Sequence, residues 1–104
     1  GQPQEVVDAL VTALATDTHS DVRTKAAAAL GAIGERDELL EVVDALVKAL
    51  SSDSHSDVRT KAATALGAIG ERDELPKEAV DALVEALSSD SHSDVRTKAA
   101  AALG

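Results

Sequence analysis

The chain has 104 residues, 19 acidic and 10 basic, for a formal net charge of -9, and contains no Phe, Trp, Tyr, Met or Cys. That charge disfavours nucleic acid and anionic membranes as partners, and the missing cysteines exclude disulfides, thiolate metal sites and cysteine catalysis. A core must then be built from Ala, Val, Leu and Ile, whose side chains carry no polar atoms and suit regular helix packing.

No apolar run is long enough for a membrane span, and no signal-peptide pattern opens the chain, so a soluble protein is expected in an undetermined compartment. Gly1 in place of an initiator Met is what a processed tag or an excised segment would leave.

In chain order, the first predicted helix covers residues 2–15, with Pro3 in the first turn, where its missing amide is tolerated. Val7, Leu10, Val11 and Leu14 follow helical spacing and share its buried face, with Glu5, Asp8 and Thr12 opposite. A turn at Thr16–Ser20 follows, with Ser20 as the expected N-cap of the next helix and Asp21 in its first turn, facing the positive end of the dipole. That helix runs from Asp21 to about Ile33, with Val22, Ala26, Ala29, Leu30 and Ile33 buried and Gly34 as a left-handed stop. Gly31 weakens the helix by up to about 1 kcal/mol, which predicts close approach of a neighbouring helix there.

The pattern then repeats. Residues 5–40 recur as 41–76 and again from 77 to 104, where the third copy ends early. The first two copies differ only at Thr12/Lys48, Ala15/Ser51, Thr16/Ser52, Thr18/Ser54, Ala28/Thr64 and Leu40/Pro76. His19, His55 and His92 mark the period, and one extra residue falls in the loop at Leu75-Pro76. In the second copy Leu39, Val42, Val43, Leu46, Val47 and Leu50 should face inward, and its second helix should run from Asp57 to about Ile69. In the third, Pro76 opens a helix with Val80, Leu83, Val84 and Leu87 inward, and Asp94 begins the last one. One hairpin cannot bury its apolar face alone, whereas stacked hairpins share a continuous core.

The Asp-Val-Arg and Ala-Leu-Gly-Ala-Ile-Gly segments resemble HEAT-like repeats of the short bacterial and archaeal type also found in phycobilisome lyases. The resemblance covers about Glu5 to Gly104 and implies an all-α solenoid of three stacked helical hairpins. It also implies an inter-repeat ladder formed by Asp17, Arg23, Asp53, Arg59, Asp90 and Arg96. Such arrays serve many functions, so the resemblance is far more specific for fold than for activity.

The sharpest chemical pattern is Asp-x-His-x-Asp at Asp17-His19-Asp21, Asp53-His55-Asp57 and Asp90-His92-Asp94. Carboxylate and imidazole together suit Zn²⁺ or similar ions. A structural reading assigns the first Asp to the ladder, Ser to the cap, the second Asp to the helix dipole, and His to solvent. Histidines of successive hairpins stand about 8–10 Å apart, too far to share an ion with bonds of about 2 Å, so no metal and no cofactor is expected. Ser beside His lacks an orienting third group and an oxyanion hole, so no enzyme is expected.

The face expected to meet a partner is the exposed side of each second helix, at Thr24, Ala28, Thr60, Thr64, Thr97 and Ala101. No aromatics interleave with Arg23/Lys25, Arg59/Lys61 and Arg96/Lys98, so nucleic acid is not the expected partner. The face is bland, without the Trp, Tyr and Arg anchors of strong interfaces. The leading expectation is therefore a non-catalytic structural scaffold, consensus or engineered, whose partly apolar ends favour head-to-tail self-association. The alternative is a fragment of a natural HEAT-like protein that binds a protein partner along the second helices.

Overall fold

A computed structural model describes residues 4–33 and 36–104. Among them are six α-helices and no strand: α1 (Gln4–Thr16), α2 (Ser20–Ile33), α3 (Leu39–Ser52), α4 (Ser56–Arg72), α5 (Lys77–Ser89) and α6 (Ser93–Leu103). A 3-10 turn at Arg36–Glu38 lies between the first two hairpins. The pairs α1/α2, α3/α4 and α5/α6 stack into an all-α solenoid, a slab of 35 × 31 × 16 Å. Its thin dimension fits two helix layers with axes about 8–10 Å apart.

The layers differ in bulk. In α1, α3 and α5 the buried residues include Val7, Leu14, Val42, Val43, Leu46, Leu50 and Leu83. In α2, α4 and α6 many are alanines, among them Ala26, Ala27, Ala62, Ala63, Ala65 and Ala99. Small residues let helices approach closely, and α2, α4 and α6 pack more tightly on one another than α1, α3 and α5 do. The closer-packed α2, α4 and α6 form the inner layer, and α1, α3 and α5 the outer layer. Gly31 abuts Ala65 and Gly67 abuts Ala102. The close approach expected at Gly31 is present, and the contact offsets the helix propensity that glycine forfeits.

Expectations of burial and of helix ends need correction, and Val80, Val84 and Leu87, expected inward, are 37–48% exposed. Val22 is 41% exposed, whereas its counterparts Val58 and Val95 are fully buried. The later valines rest on a preceding hairpin, and no hairpin precedes Val22 among the described residues. Leu10, Val11, Ala29 and Ile33 are only partly buried. The second copy's second helix continues past Ile69 to Arg72, so Gly70 lies inside α4 rather than ending it. Pro76 is the N-cap of α5, which starts at Lys77, and it disfavours helix at Leu75. Gly34, expected to stop α2, lies outside the described residues, as do Gln2 and Pro3.

Polar contacts also tie successive hairpins together. Gln4 Nε2 donates to Asp8 Oδ1 at 2.8 Å and to Glu41 Oε1 at 2.7 Å, joining α1 to α3. Arg72 Nη2 donates to the Gly31 carbonyl at 2.9 Å, joining α4 to α2.

Candidate functional site

Three aspartates end the outer helices. The amides of Asp17, Asp53 and Asp90 donate to the carbonyls of Ala13, Ala49 and Ala86 at 3.0 Å, closing α1, α3 and α5. The chain then turns extended, with Asp53 at φ -67 and ψ 137. Each carboxylate accepts the amide two residues on, at His19, His55 and His92, at 2.9 Å. This Asx turn aims the chain into the next helix.

Each aspartate carbonyl also receives an arginine. Arg23 Nη1 donates to the Asp17 carbonyl at 2.9 Å, Arg59 Nη1 to that of Asp53 at 2.9 Å, and Arg96 Nη1 to that of Asp90 at 2.7 Å. The rest of the guanidinium reaches the following hairpin. Arg23 Nε meets Asp53 Oδ2 at 2.9 Å and its Nη2 meets Oδ1 at 3.1 Å. Arg59 repeats the fork on Asp90 at 2.9 and 3.2 Å. The pairs are largely buried, with 8% of the Asp53 side chain and 9% of the Asp90 side chain exposed. Burial pushes the Asp90 carboxyl up. The Arg59 hydrogen bond, the His92 amide and the Arg59 charge outweigh that effect and hold it below the usual aspartate value. The hydrogen bond to Asp53 raises the Arg23 guanidinium in turn. The structure thus brings together Arg23 with Asp53 and Arg59 with Asp90, while Asp17 and Arg96 stand at opposite ends of the row.

The histidines have a role that the sequence reading missed. His55 and His92, not the following serines, are the N-caps of α4 and α6, and Nδ1 accepts from the amides of Asp57 and Asp94 at 3.2 and 3.3 Å. An accepting Nδ1 places the ring proton on Nε2. In the first hairpin the Thr18 hydroxyl lies 3.2 Å from His19 Nδ1 instead, which gives the Thr18/Ser54 difference a local consequence. The Asp-x-His spacing was the available signal, because an Asx turn presents the residue at its end to the helix start. Among the described residues no group of three His, Cys, Asp or Glu side chains is placed to hold a metal ion.

The expected partner face lies on the inner layer. Thr24, Ala28 and Thr60 are half-buried, and Thr64, Thr97 and Ala101 are exposed. The hydroxyls of Thr24, Thr64 and Thr97 donate to carbonyls one turn back, at Ser20, Thr60 and Ser93. That leaves an unencumbered surface of methyl groups. Between α4 and α6 it opens into a groove of about 790 Å³ lined by residues that include Thr64, Gly67, Lys98, Ala101 and Leu103. A second groove, of about 750 Å³, lies on the outer layer between α1 and α3, with Val11, Leu14, Glu41 and Lys48 in its walls. Among the described residues no helix is long and apolar enough to cross a membrane.

Residues 7–104 match the family of HEAT repeats. No curated protein matches the chain. Among solved structures, the chain is similar to one in the complex of CpcE and CpcF of phycocyanin lyase from Nostoc sp. PCC7120, with a TM-score of 0.80 and 27% identity. The likeness covers 96% of this chain and 63% of that one, so this chain spans less than two thirds of its neighbour. The expectation that the chain is no enzyme is overturned by this likeness, because the similar chain is part of a phycocyanin lyase complex. Reasoning from residue types failed there because no nucleophile or acid–base pair advertises the link. By the match over nearly its whole length, the chain belongs to the family of HEAT repeats.

Proposed function

We propose that the chain is a protein-binding HEAT-like module that holds a partner protein along the inner layer of α2, α4 and α6. The observation that carries this reading is the likeness to a chain from a two-protein complex, CpcE with CpcF. The face at Thr24, Ala28, Thr60, Thr64, Thr97 and Ala101 suits the role. Its side chains are short, the hydroxyls of Thr24, Thr64 and Thr97 are already bonded, and the groove beside Thr64 and Ala101 is open. Lys25, Lys61 and Lys98 recur beside it and give acidic side chains of a partner a local basic strip, although the protein as a whole carries a net charge of -9.

The likeness to a phycocyanin lyase extends the reading: the module works as part of a lyase assembly rather than as an isolated scaffold. The test is a calorimetric titration of the chain with a CpcF-type subunit and with phycocyanin, followed by a phycocyanin-lyase assay of any complex. Saturable binding to either protein is expected. No binding to both would overturn the reading, and binding without activity would confine it to the scaffold role.

A further inference from the structure

One side-chain amide holds two carboxylates across the seam between the first two hairpins. Gln4 Nε2 donates to Asp8 Oδ1 on α1 at 2.8 Å and to Glu41 Oε1 on α3 at 2.7 Å. Because both oxygens take their hydrogen from the same nitrogen, the two carboxylates are close neighbours. The arrangement is not a by-product of the repeat. The chain has no Asn and no glutamine besides Gln2 and Gln4, and Leu40 stands where Gln4 would recur. Asp44 and Glu78, the counterparts at the next seam, therefore have no such bridge.

Asp8 is exposed, and Glu41 is half-buried in the wall of the outer groove. The Glu38 carboxylate, in the 3-10 turn, adds negative charge around Glu41, while Asp44 and Lys48 line the same groove further along α3. Two carboxylates this close repel when both are ionised. One proton removes the repulsion and supplies a donor, since Glu41 as an acid can donate its O–H to the Asp8 carboxylate. The two groups are displaced in opposite directions. The hydrogen bond with Asp8 pushes the Glu41 carboxyl up, helped by burial and by the Asp8 and Glu38 charges, and the Gln4 hydrogen bond only partly opposes this. The hydrogen bonds with Gln4 and Glu41 outweigh burial and hold the Asp8 carboxyl below its ordinary value. Such a split is how two carboxyls divide a single proton.

We propose that Asp8 and Glu41 share one proton across the α1–α3 seam, so that the first two hairpins hold together more firmly in mild acid than at neutral pH. The sign follows from both groups. The raised Glu41 contributes stability that is complete below its ordinary value of 4.5 and is lost as pH rises through the folded value. The lowered Asp8 contributes stability that is complete above its ordinary value of 3.8 and is lost as pH falls through the folded value. The seam is therefore firmest between the two folded values, with one proton on the pair. This device sits in the outer layer and is independent of the partner-binding reading.

The experiment follows the side-chain carboxyl carbon shifts of Asp8 and Glu41 by NMR across an acid-to-neutral titration, in the wild type and in Asp8→Asn. Glu41 should titrate above 4.5 in the wild type and move back toward it in Asp8→Asn. Urea midpoints of the wild type and Glu41→Gln give the second readout, because the glutamine amide can donate to Asp8 as the protonated acid does. Glu41→Gln should be the more stable at neutral pH, and the gap should close as the wild type takes up its proton. A Glu41 that titrates at 4.5, or that ignores Asp8→Asn, would overturn the proposal. So would a Glu41→Gln that is no more stable than the wild type at neutral pH, or whose advantage persists unchanged in mild acid.

Discussion

Gly31 and Ala65 stand so close that a β-carbon built on Gly31 would lie 2.7 Å from the Ala65 Cβ and 2.9 Å from its Cα. The α2–α4 contact is therefore made through backbone, and no side chain of any size fits between the helices. Gly31→Ala gains up to about 1 kcal/mol of helix propensity but forces the helices apart at an overpacking cost of about 1–3 kcal/mol. We expect a net loss of about 1–2 kcal/mol in urea unfolding followed by circular dichroism. Gly67→Ala meets Ala102 at 3.0 Å and should cost less. Equal stability of Gly31→Ala and wild type would mean that the helices part freely.

The Arg–Asp forks join hairpins whose remaining contacts are mostly aliphatic. Asp53→Ala strands the Arg23 guanidinium and removes the Asx turn before α4. A charged hydrogen bond contributes about 1.5–3 kcal/mol, and breaking a fully buried pair costs about 3–5 kcal/mol. With Arg23 14% exposed, a loss of about 2–3 kcal/mol is expected. Asp17→Ala removes the same turn but no arginine partner, so about 1 kcal/mol should be lost. Similar losses at both positions would show that the turn, not the fork, carries the effect.

Asp90 links stability to pH. Its folded-state pKa lies below the ordinary value of 3.8, so the unfolded chain binds this proton more readily. Its stabilising contribution is complete above the ordinary value and is lost as pH falls through the depressed folded value. Urea midpoints of wild type and Asp90→Asn should therefore differ most near neutrality and converge in strong acid. A constant gap across that range would contradict the assignment.

The imidazole caps predict a rescue pattern. His55→Ala leaves the Asp57 amide without its acceptor and should cost about 0.5–2 kcal/mol. His55→Asn supplies a side-chain oxygen at the same place and should recover most of the loss in thermal unfolding. If Asn and Ala behave alike, the ring is not acting as a cap.

Much of this structure was legible in the chain because it is written three times. The aliphatic spacing placed Val42, Val43, Leu46 and Leu50 in the core, and Gly31 announced a close helix contact. What escaped depends on neighbours rather than on local sequence. Val22 and Val58 occupy the same position in the same motif, and only the presence of a preceding hairpin buries one and exposes the other. The histidine caps were hidden because Ser and Asp beside them are stronger cap formers on average, and the Asx turn overrides that preference. The link to a lyase has no catalytic signature among the residue types; the repeat motifs carry the resemblance, and the likeness of the whole array supports it.

The most direct measurement is the affinity of the partner proposed above for two surface variants, Thr64→Arg on the inner layer and Lys48→Glu in the outer groove. Both sites are exposed on helices, so each variant should fold. The account predicts that Thr64→Arg weakens binding by about tenfold or more, equal to about 1.4 kcal/mol, and that Lys48→Glu leaves it unchanged. Loss of binding with Lys48→Glu and none with Thr64→Arg would move the partner to the outer groove and contradict the account.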